Sequence, residues 1–346
     1  MELQHRLVRQ TINIAISKAI DDMRCNLKRS MRNLVDLGLL FSKSEKQKWF
    51  FSTAKKVISN RNNPYYPLIS RVLADVDTET IKRVGLNLGY SSLIYGAHKI
   101  KKKRESMNYA IPWLLIFDIA ESGPDYFHQL EKLLSEGREL GVYSYIFCIH
   151  QESDLFTLCE IAEQFDECFF AFELPSHLII DKTAHSLGKI HNVVISVHSV
   201  NDDLNSEYTT HAFRVLKQNH CLYGYHLYYN EDNIGKVISP EYVSTAIELG
   251  SVFGVYIAAD GVPAAYKEAA YHFVCQERGE NGQPLIALDW FRDMEDISKM
   301  ILSKDGYIPK NPIHKVRNEY IKAKESLTNS FPNLFQILKP TASPNS

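Results

Sequence analysis

Ile111-Pro-Trp-Leu-Leu-Ile-Phe-Asp118 is the stretch that decides how this chain is read: an apolar run of strand length ending on a carboxylate. Five more such runs follow, at Tyr143–His150, Cys168–Glu173, Asn192–Ser199, Leu222–Asn230 and Val252–Asp260, each closing in polar residues. Amphipathic helical stretches separate most of them. Strand and helix alternating at this spacing predict parallel strands joined by right-handed crossovers. Sites in barrels of this kind lie at the C-terminal ends of the strands. That is where the polar residues fall.

Working outward, Ala264–Gln276 reads as a helix, Gly279–Gln283 as a turn, Pro284–Trp290 as a strand and Asp293–Ser303 as a helix. A last helix is expected over Asn311–Leu327, and the proline-bearing tail from Lys339 is expected to be disordered. Upstream, Val8, Ile12, Ile16 and Ile20 recur every four residues, which predicts a helix over Leu3–Met23. Cys25–Leu37 reads as a second helix, and Ser44 as the N-cap of a third that reaches Ser59. Asn60–Pro64 is a turn by composition, followed by helices at Tyr66–Ala74 and Thr78–Lys99. Gly85 and Gly89 read as close-packing points or a break within the latter. The expected organisation is a basic helical domain at 1–107, a strand–helix domain at 108–305, a helical extension at 306–338 and a tail at 339–346.

The net charge of −2 conceals an asymmetry. Residues 1–104 carry 21 Lys and Arg against 8 Asp and Glu, so the rest of the chain is strongly acidic. Such a split points either to an acidic partner for the basic segment or to attraction between the two halves. Lys101-Lys-Lys-Arg104 closes the basic segment and is the candidate contact with anionic lipid head groups. Nucleic acid ranks below lipid, since no nucleic-acid motif accompanies the charge. No run approaches the roughly 18 apolar residues of a membrane span, and the N-terminus lacks a signal-peptide core. Six cysteines, never closer than nine residues apart, suit a reducing cytoplasm and are expected to be thiols.

Four strings resemble the radical S-adenosylmethionine superfamily, in a branch with a helical N-terminal extension: Ile111–Asp118, Glu136-Gly-Arg-Glu-Leu-Gly-Val-Tyr-Ser-Tyr-Ile146, Val194-Ile-Ser-Val-His198 and Pro284-Leu-Ile-Ala-Leu-Asp-Trp290. The similarity runs with gaps over Asn87 to Met300. It implies an α/β fold in which a partial (β/α)6 TIM-like barrel follows an all-helical domain. Members of the family place Cys-x3-Cys-x2-Cys after the first strand to hold a [4Fe–4S] cluster with soft thiolates. Here that loop reads Ile119-Ala-Glu-Ser-Gly-Pro-Asp-Tyr-Phe127, without cysteine. The family's Gly-Gly-Glu-Pro after the second strand is replaced by Ile149-His-Gln-Glu152. No cluster, no resident metal and no other cofactor are therefore expected, and S-adenosylmethionine stays open as a ligand.

The candidate chemistry lies at the strand ends. His150, His198, His226 and Glu173 are the candidate acid–base or catalytic groups. Asp118, Gln151, Glu152, Ser196, Ser199 and Asp260 are the candidate ligand-binding residues. No tight metal motif of the His-Glu-x-x-His kind accompanies them. Cys148 sits two residues before His150 and is a weaker nucleophile candidate. Tyr223, Tyr225, Tyr228 and Tyr229 read as core or rim residues. Three functions remain open: a cluster-free binding, regulatory or accessory protein, an enzyme using the three histidines for non-radical chemistry with or without a metal, and a binder of S-adenosylmethionine or another nucleoside. The first leads and implies a protein partner such as an active paralogue or pathway enzyme, in the cytoplasm, with peripheral contact at a membrane left open.

Overall fold

The structure, a computed structural model, describes residues 3–42, 44–60, 62–106, 111–119, 124–302 and 313–316. Eight strands form one parallel sheet: β1 (Leu114–Ile119), β2 (Ser144–Ile149), β3 (Phe169–Pro175), β4 (Val193–His198), β5 (Tyr223–Tyr229), β6 (Phe253–Ala258), β7 (Ile286–Asp289) and β8 (Ile313–Val316). Their order across the sheet is β7-β6-β5-β4-β3-β2-β1-β8. The sheet winds in one direction from β1 to β7, with β8 added outside β1. Among the described residues β7 and β8 pair with no further strand, so the sheet is open and is not a closed barrel.

The expected last helix is corrected at 313–316, which form strand β8 in register with Leu114–Phe117. Two of its four residues, Ile313 and Val316, are β-branched and favour an extended backbone. Pairing with β1 also covers what would otherwise be the first strand's open edge. The rest of the expected extension and the tail lie outside the described residues.

Strand alternation divides the sheet into two unlike faces. In β3 the burial pattern alternates strictly: Phe170, Phe172 and Leu174 are buried, while Ala171 and Glu173 are half-exposed. The buried face is a continuous aromatic layer, with Phe147 5.8 Å from Phe117 and 5.6 Å from Phe172, centroid to centroid. Leu130, Leu133 and Leu134 of helix Pro124–Leu140 belong to the same core, as do Leu155 and Leu158 of helix Glu152–Gln164. A fully buried leucine or phenylalanine contributes about 1.5–3 kcal/mol, so this face carries most of the stability. The other face is left partly open.

The N-terminal helices are α1 (Leu3–Phe41), α2 (Glu45–Val57), α3 (Tyr65–Asp75), α4 (Thr78–Val84) and α5 (Ala97–Ser106). α1 is kinked at Asn26, whose side-chain oxygen accepts from the Arg29 amide and so caps the second half. Ser44 caps α2 in a capping box with Gln47. Between α4 and α5 the chain widens into a twelve-residue π-helix, Gly85–Gly96. Gly85 marks the change of pitch, but a Cβ at Gly85 or Gly89 would meet nothing, so neither is a close-packing point. Gly96 is the close one: a Cβ there would collide with the Gly141 carbonyl.

These helices close the N-terminal edge of the sheet. Asn87 Nδ2 donates to the carbonyls of Asp166 and Cys168, each at 2.8 Å, just before β3. Ser92 and Ser144 hydroxyls meet at 2.6 Å at the start of β2. The Asp77 amide donates to the His220 carbonyl before β5. The Arg71 guanidinium donates to the carbonyls of Ser251 and Pro284, before β6 and β7. Part of the charge asymmetry is also spent internally, since Arg83 pairs with Asp166 at 3.1 Å. The opposite, C-terminal edge is the one the helices leave open.

Candidate functional site

Strand register places two polar rows at the C-terminal end of the half-open face. Asp118, Cys148, Glu173 and Ser196 are successive partners across β1, β2, β3 and β4. Two residues further on, His198 of β4 is paired with His226 of β5. Because side chains two apart on a strand share a face, both rows point to the same side. They meet around a cavity of about 230 Å³ lined by Asp118, Cys148, His150, Glu173, His198 and His226, with Tyr228 at its rim.

Two polar contacts tie the β1–β3 side together. His150 Nε2 lies 2.7 Å from Asp118 Oδ1. The Cys148 thiol donates to Glu173 Oε2 at 3.2 Å. On the β4–β5 side, Ser196 Oγ and His226 Nδ1 are 2.9 Å apart. The His198 ring stands 5.2 Å from that of His226 and 5.7 Å from that of Tyr228. Burial pulls His226 down from the ordinary imidazole value to about 3, with His198 adding to the effect. Burial lowers His198 as well. Both rings are therefore neutral at pH 7.

Among the sequence candidates, the structure gathers Asp118, His150, Glu173, His198 and His226 around one cavity, with Ser196 behind His226. Gln151, Glu152 and Ser199 do not line it, and Asp260 lies in an exposed turn after β6. Tyr228 is the rim residue that the sequence left among its tyrosines. Alternation from His226 is the signal that separates it from Tyr225 and Tyr229, which are buried on the other face. Lys101, Lys103 and Arg104 of α5 are half-buried and engaged within the protein, leaving Lys102 as the exposed cation of that run.

The residues present do not fit a thiolate-held cluster. Of the six cysteines, Cys148 alone lines the cavity. Burial pushes the thiols of Cys159 and Cys221 up to about 12, and that of Cys168 higher still. Cys25 and Cys275 are exposed, on α1 and on helix Ala264–Glu277. Among the described residues, no three His, Cys, Asp or Glu side chains are placed to share a metal ion. No described helix is long and apolar enough to cross a membrane.

No protein-family model matches the chain, and no curated protein matches it. Solved structures of SuiB from Streptococcus suis are similar to it in part. With SuiB bound to precursor peptide SuiA, identity is 13% and the TM-score 0.42, over 56% of this chain and 52% of that one. With SuiB bound to S-adenosylmethionine, identity is 14% and the TM-score 0.40, over 53% and 52%. With SuiB alone, identity is again 14% and the TM-score 0.40, over 69% and 60%. The matched part thus spans little more than half of SuiB's length, and likeness at this level assigns neither activity nor ligand to this chain. What fold and site define is an α/β protein with an open parallel sheet and a carboxylate–imidazole cavity at its C-terminal edge.

Proposed function

We propose that this chain is a ligand-binding protein on a radical S-adenosylmethionine-type scaffold, working without an iron–sulfur cluster and without radical chemistry. The observation that carries the reading is the cavity itself. Asp118, His150, Glu173, His198 and His226, from the ends of five strands, converge there, and among the described residues only one of the lining side chains is a cysteine. Sites of α/β proteins lie at the carboxyl ends of their strands, and here the helices close the opposite end. An accessory role beside a catalytic partner protein follows from that reading, and any contact with an anionic membrane through Lys101–Arg104 would rest mainly on Lys102.

A thermal-shift screen of nucleosides, S-adenosylmethionine, small polar metabolites and divalent metals tests it. A ligand that binds the folded state raises the melting temperature by mass action. The reading requires a stabilising ligand whose effect is lost on substitution of Glu173 or His226. Stabilisers that are indifferent to both substitutions would contradict it.

A second reading is favoured by the 2.7 Å His150–Asp118 contact. A carboxylate that orients an imidazole is the arrangement of a general base, so the cavity would host non-radical acid–base chemistry. Loss of a measured turnover in His150→Ala and His198→Ala, with folding retained, separates catalysis from binding alone.

A further inference from the structure

We infer that a second cavity takes a linear zwitterion, a small aliphatic molecule whose carboxylate meets Arg214 and whose ammonium group meets Glu207. This cavity, of about 500 Å³, opens between the turn that follows β3 and one face of helix Glu207–Gln218. Its volume falls within the roughly 300–1,000 Å³ typical of small-molecule sites. The turn leaves β3 at Pro175 and the helix follows β4, so this cavity too lies at the carboxyl ends of the strands, where α/β proteins bind ligands. It shares no lining residue with the rim cavity, and the inference stands apart from the reading of that site.

Spacing and charge are the first argument. Glu207, His211 and Arg214 stand at i, i+4 and i+7 and therefore share one face of the helix. All three line the cavity. At a rise of about 1.5 Å per residue, the two charged positions are about 10.5 Å apart along the axis. Neither side chain forms an ion pair among the described residues. Arg214 is held instead by an imidazole, its Nη2 donating to His211 Nδ1 at 2.7 Å. A guanidinium donates and never accepts, so that ring accepts at Nδ1 and carries its proton on Nε2, 3.7 Å from Asp181 Oδ2. The contact fixes the guanidinium without cancelling its charge. Its remaining N–H groups form the planar fork that matches a carboxylate.

The walls supply an independent argument. Ile180 and Tyr208 line the same cavity and are 39% and 62% exposed. Apolar area left to water in a concave site is covered at a gain by an aliphatic chain. Opposite charges on one helix face, with apolar wall beside them, select a molecule that carries the same groups in the same sequence. Length narrows the class. Two hydrogen bonds of about 2.9 Å take up a little over half of the separation of about 10.5 Å. The ligand's own charges are left about 5 Å apart. Three methylenes between ammonium and carboxylate match that span, and the single methylene of glycine does not.

The test uses four probes on the whole chain at pH 7.5: 4-aminobutyrate, glycine, butylammonium and butyrate. Binding is read by NMR titration of the Arg214 Nε–H resonance, assigned with Arg214→Gln, and of the Tyr208 ring protons, assigned with Tyr208→Phe. 4-Aminobutyrate is expected to move both and to bind at least about tenfold more tightly than any other probe. Glu207→Gln and Arg214→Gln should each weaken it about tenfold without changing the ligand-free melting temperature, since both side chains are exposed. The single-charge probes separate the two ends: Arg214→Gln should abolish the effect of butyrate and spare that of butylammonium, and Glu207→Gln should do the reverse. Should Arg214→Gln fail to fold, Glu207→Gln and the comparison of probes on the natural chain still decide. Glycine, butyrate or butylammonium binding as tightly as 4-aminobutyrate would overturn the assignment, as would 4-aminobutyrate binding that is indifferent to both substitutions. Resonances unmoved by all four probes would overturn it as well.

Discussion

The imidazoles of His198 and His226 stand 5.2 Å apart on directly paired positions of adjacent strands, and burial lowers the proton affinity of both. Two neighbouring rings that share a partly dry site cannot both accept protons at low cost.

Acid should therefore weaken the fold through His226. Its folded value of about 3 lies below the unfolded value near 6.5, so the unfolded chain binds the extra proton between these limits. Stability from this group is level above about pH 6.5 and falls as pH drops toward 3. His5, lowered to about 4 by burial against Tyr95 and Tyr90, acts with the same sign. Urea midpoints measured at pH 7 and pH 5 should drop on acidification, and by less in His226→Gln. An identical drop in that variant would show that His226 is not the titrating group.

The glycines of the π-helix should divide by their surroundings. A Cβ at Gly96 meets the Gly141 carbonyl, so Gly96→Ala should cost on the order of 1–3 kcal/mol through overpacking. Gly85→Ala and Gly89→Ala meet nothing and should be neutral or stabilise by about 0.4–1 kcal/mol. Thermal melts of the three variants decide it, and equal losses would mean that the pitch change itself needs glycine.

Asn87 should be the hinge between the helices and the sheet. It is fully buried, donates to two carbonyls ahead of β3 and accepts from the Arg9 guanidinium at 2.5 Å. Asn87→Leu removes these three hydrogen bonds, at about 0.5–1.5 kcal/mol each, while the Cys168 carbonyl keeps the Asn192 Nδ2 donor at 3.1 Å. Amide exchange should then accelerate in α1 and the π-helix more than in β4 and β5. Uniform acceleration would instead indicate a single cooperative unit.

The His150–Asp118 pair should matter for ligand and little for stability. Its side chains are 52% and 32% exposed, and pairs of that exposure contribute about 0.2–1 kcal/mol. A double-mutant cycle with His150→Gln and Asp118→Asn is expected to give coupling within that range. Coupling well above it would make the pair a structural element.

Much of this was legible in the sequence because β-strands alternate. The runs ending at Asp118, His150, Glu173, Ser199, Asn230 and Asp260 each contain a strand of the sheet, and the period of two puts Asp118, Cys148, Glu173, Ser196, His198 and His226 on one face. What stayed hidden depends on distant partners. Strand β8 is four residues long and is defined by its pairing with β1, nearly two hundred residues earlier. The thiol of Cys148, read beside His150 in sequence, turns to Glu173 on the neighbouring strand, while His150 turns to Asp118 on the strand at its other side. The π-helix was equally silent, and its residues meet partners far off in the chain, as in the stacking of His5 on Tyr95.

Iron and acid-labile sulfide, assayed after anaerobic reconstitution, test the central proposal most directly. A protein whose rim presents a lone thiol beside carboxylates and imidazoles should return with neither element in stoichiometric amount and should leave S-adenosylmethionine uncleaved. Recovery of about four irons per chain, together with cleavage of S-adenosylmethionine under reducing conditions, would contradict it.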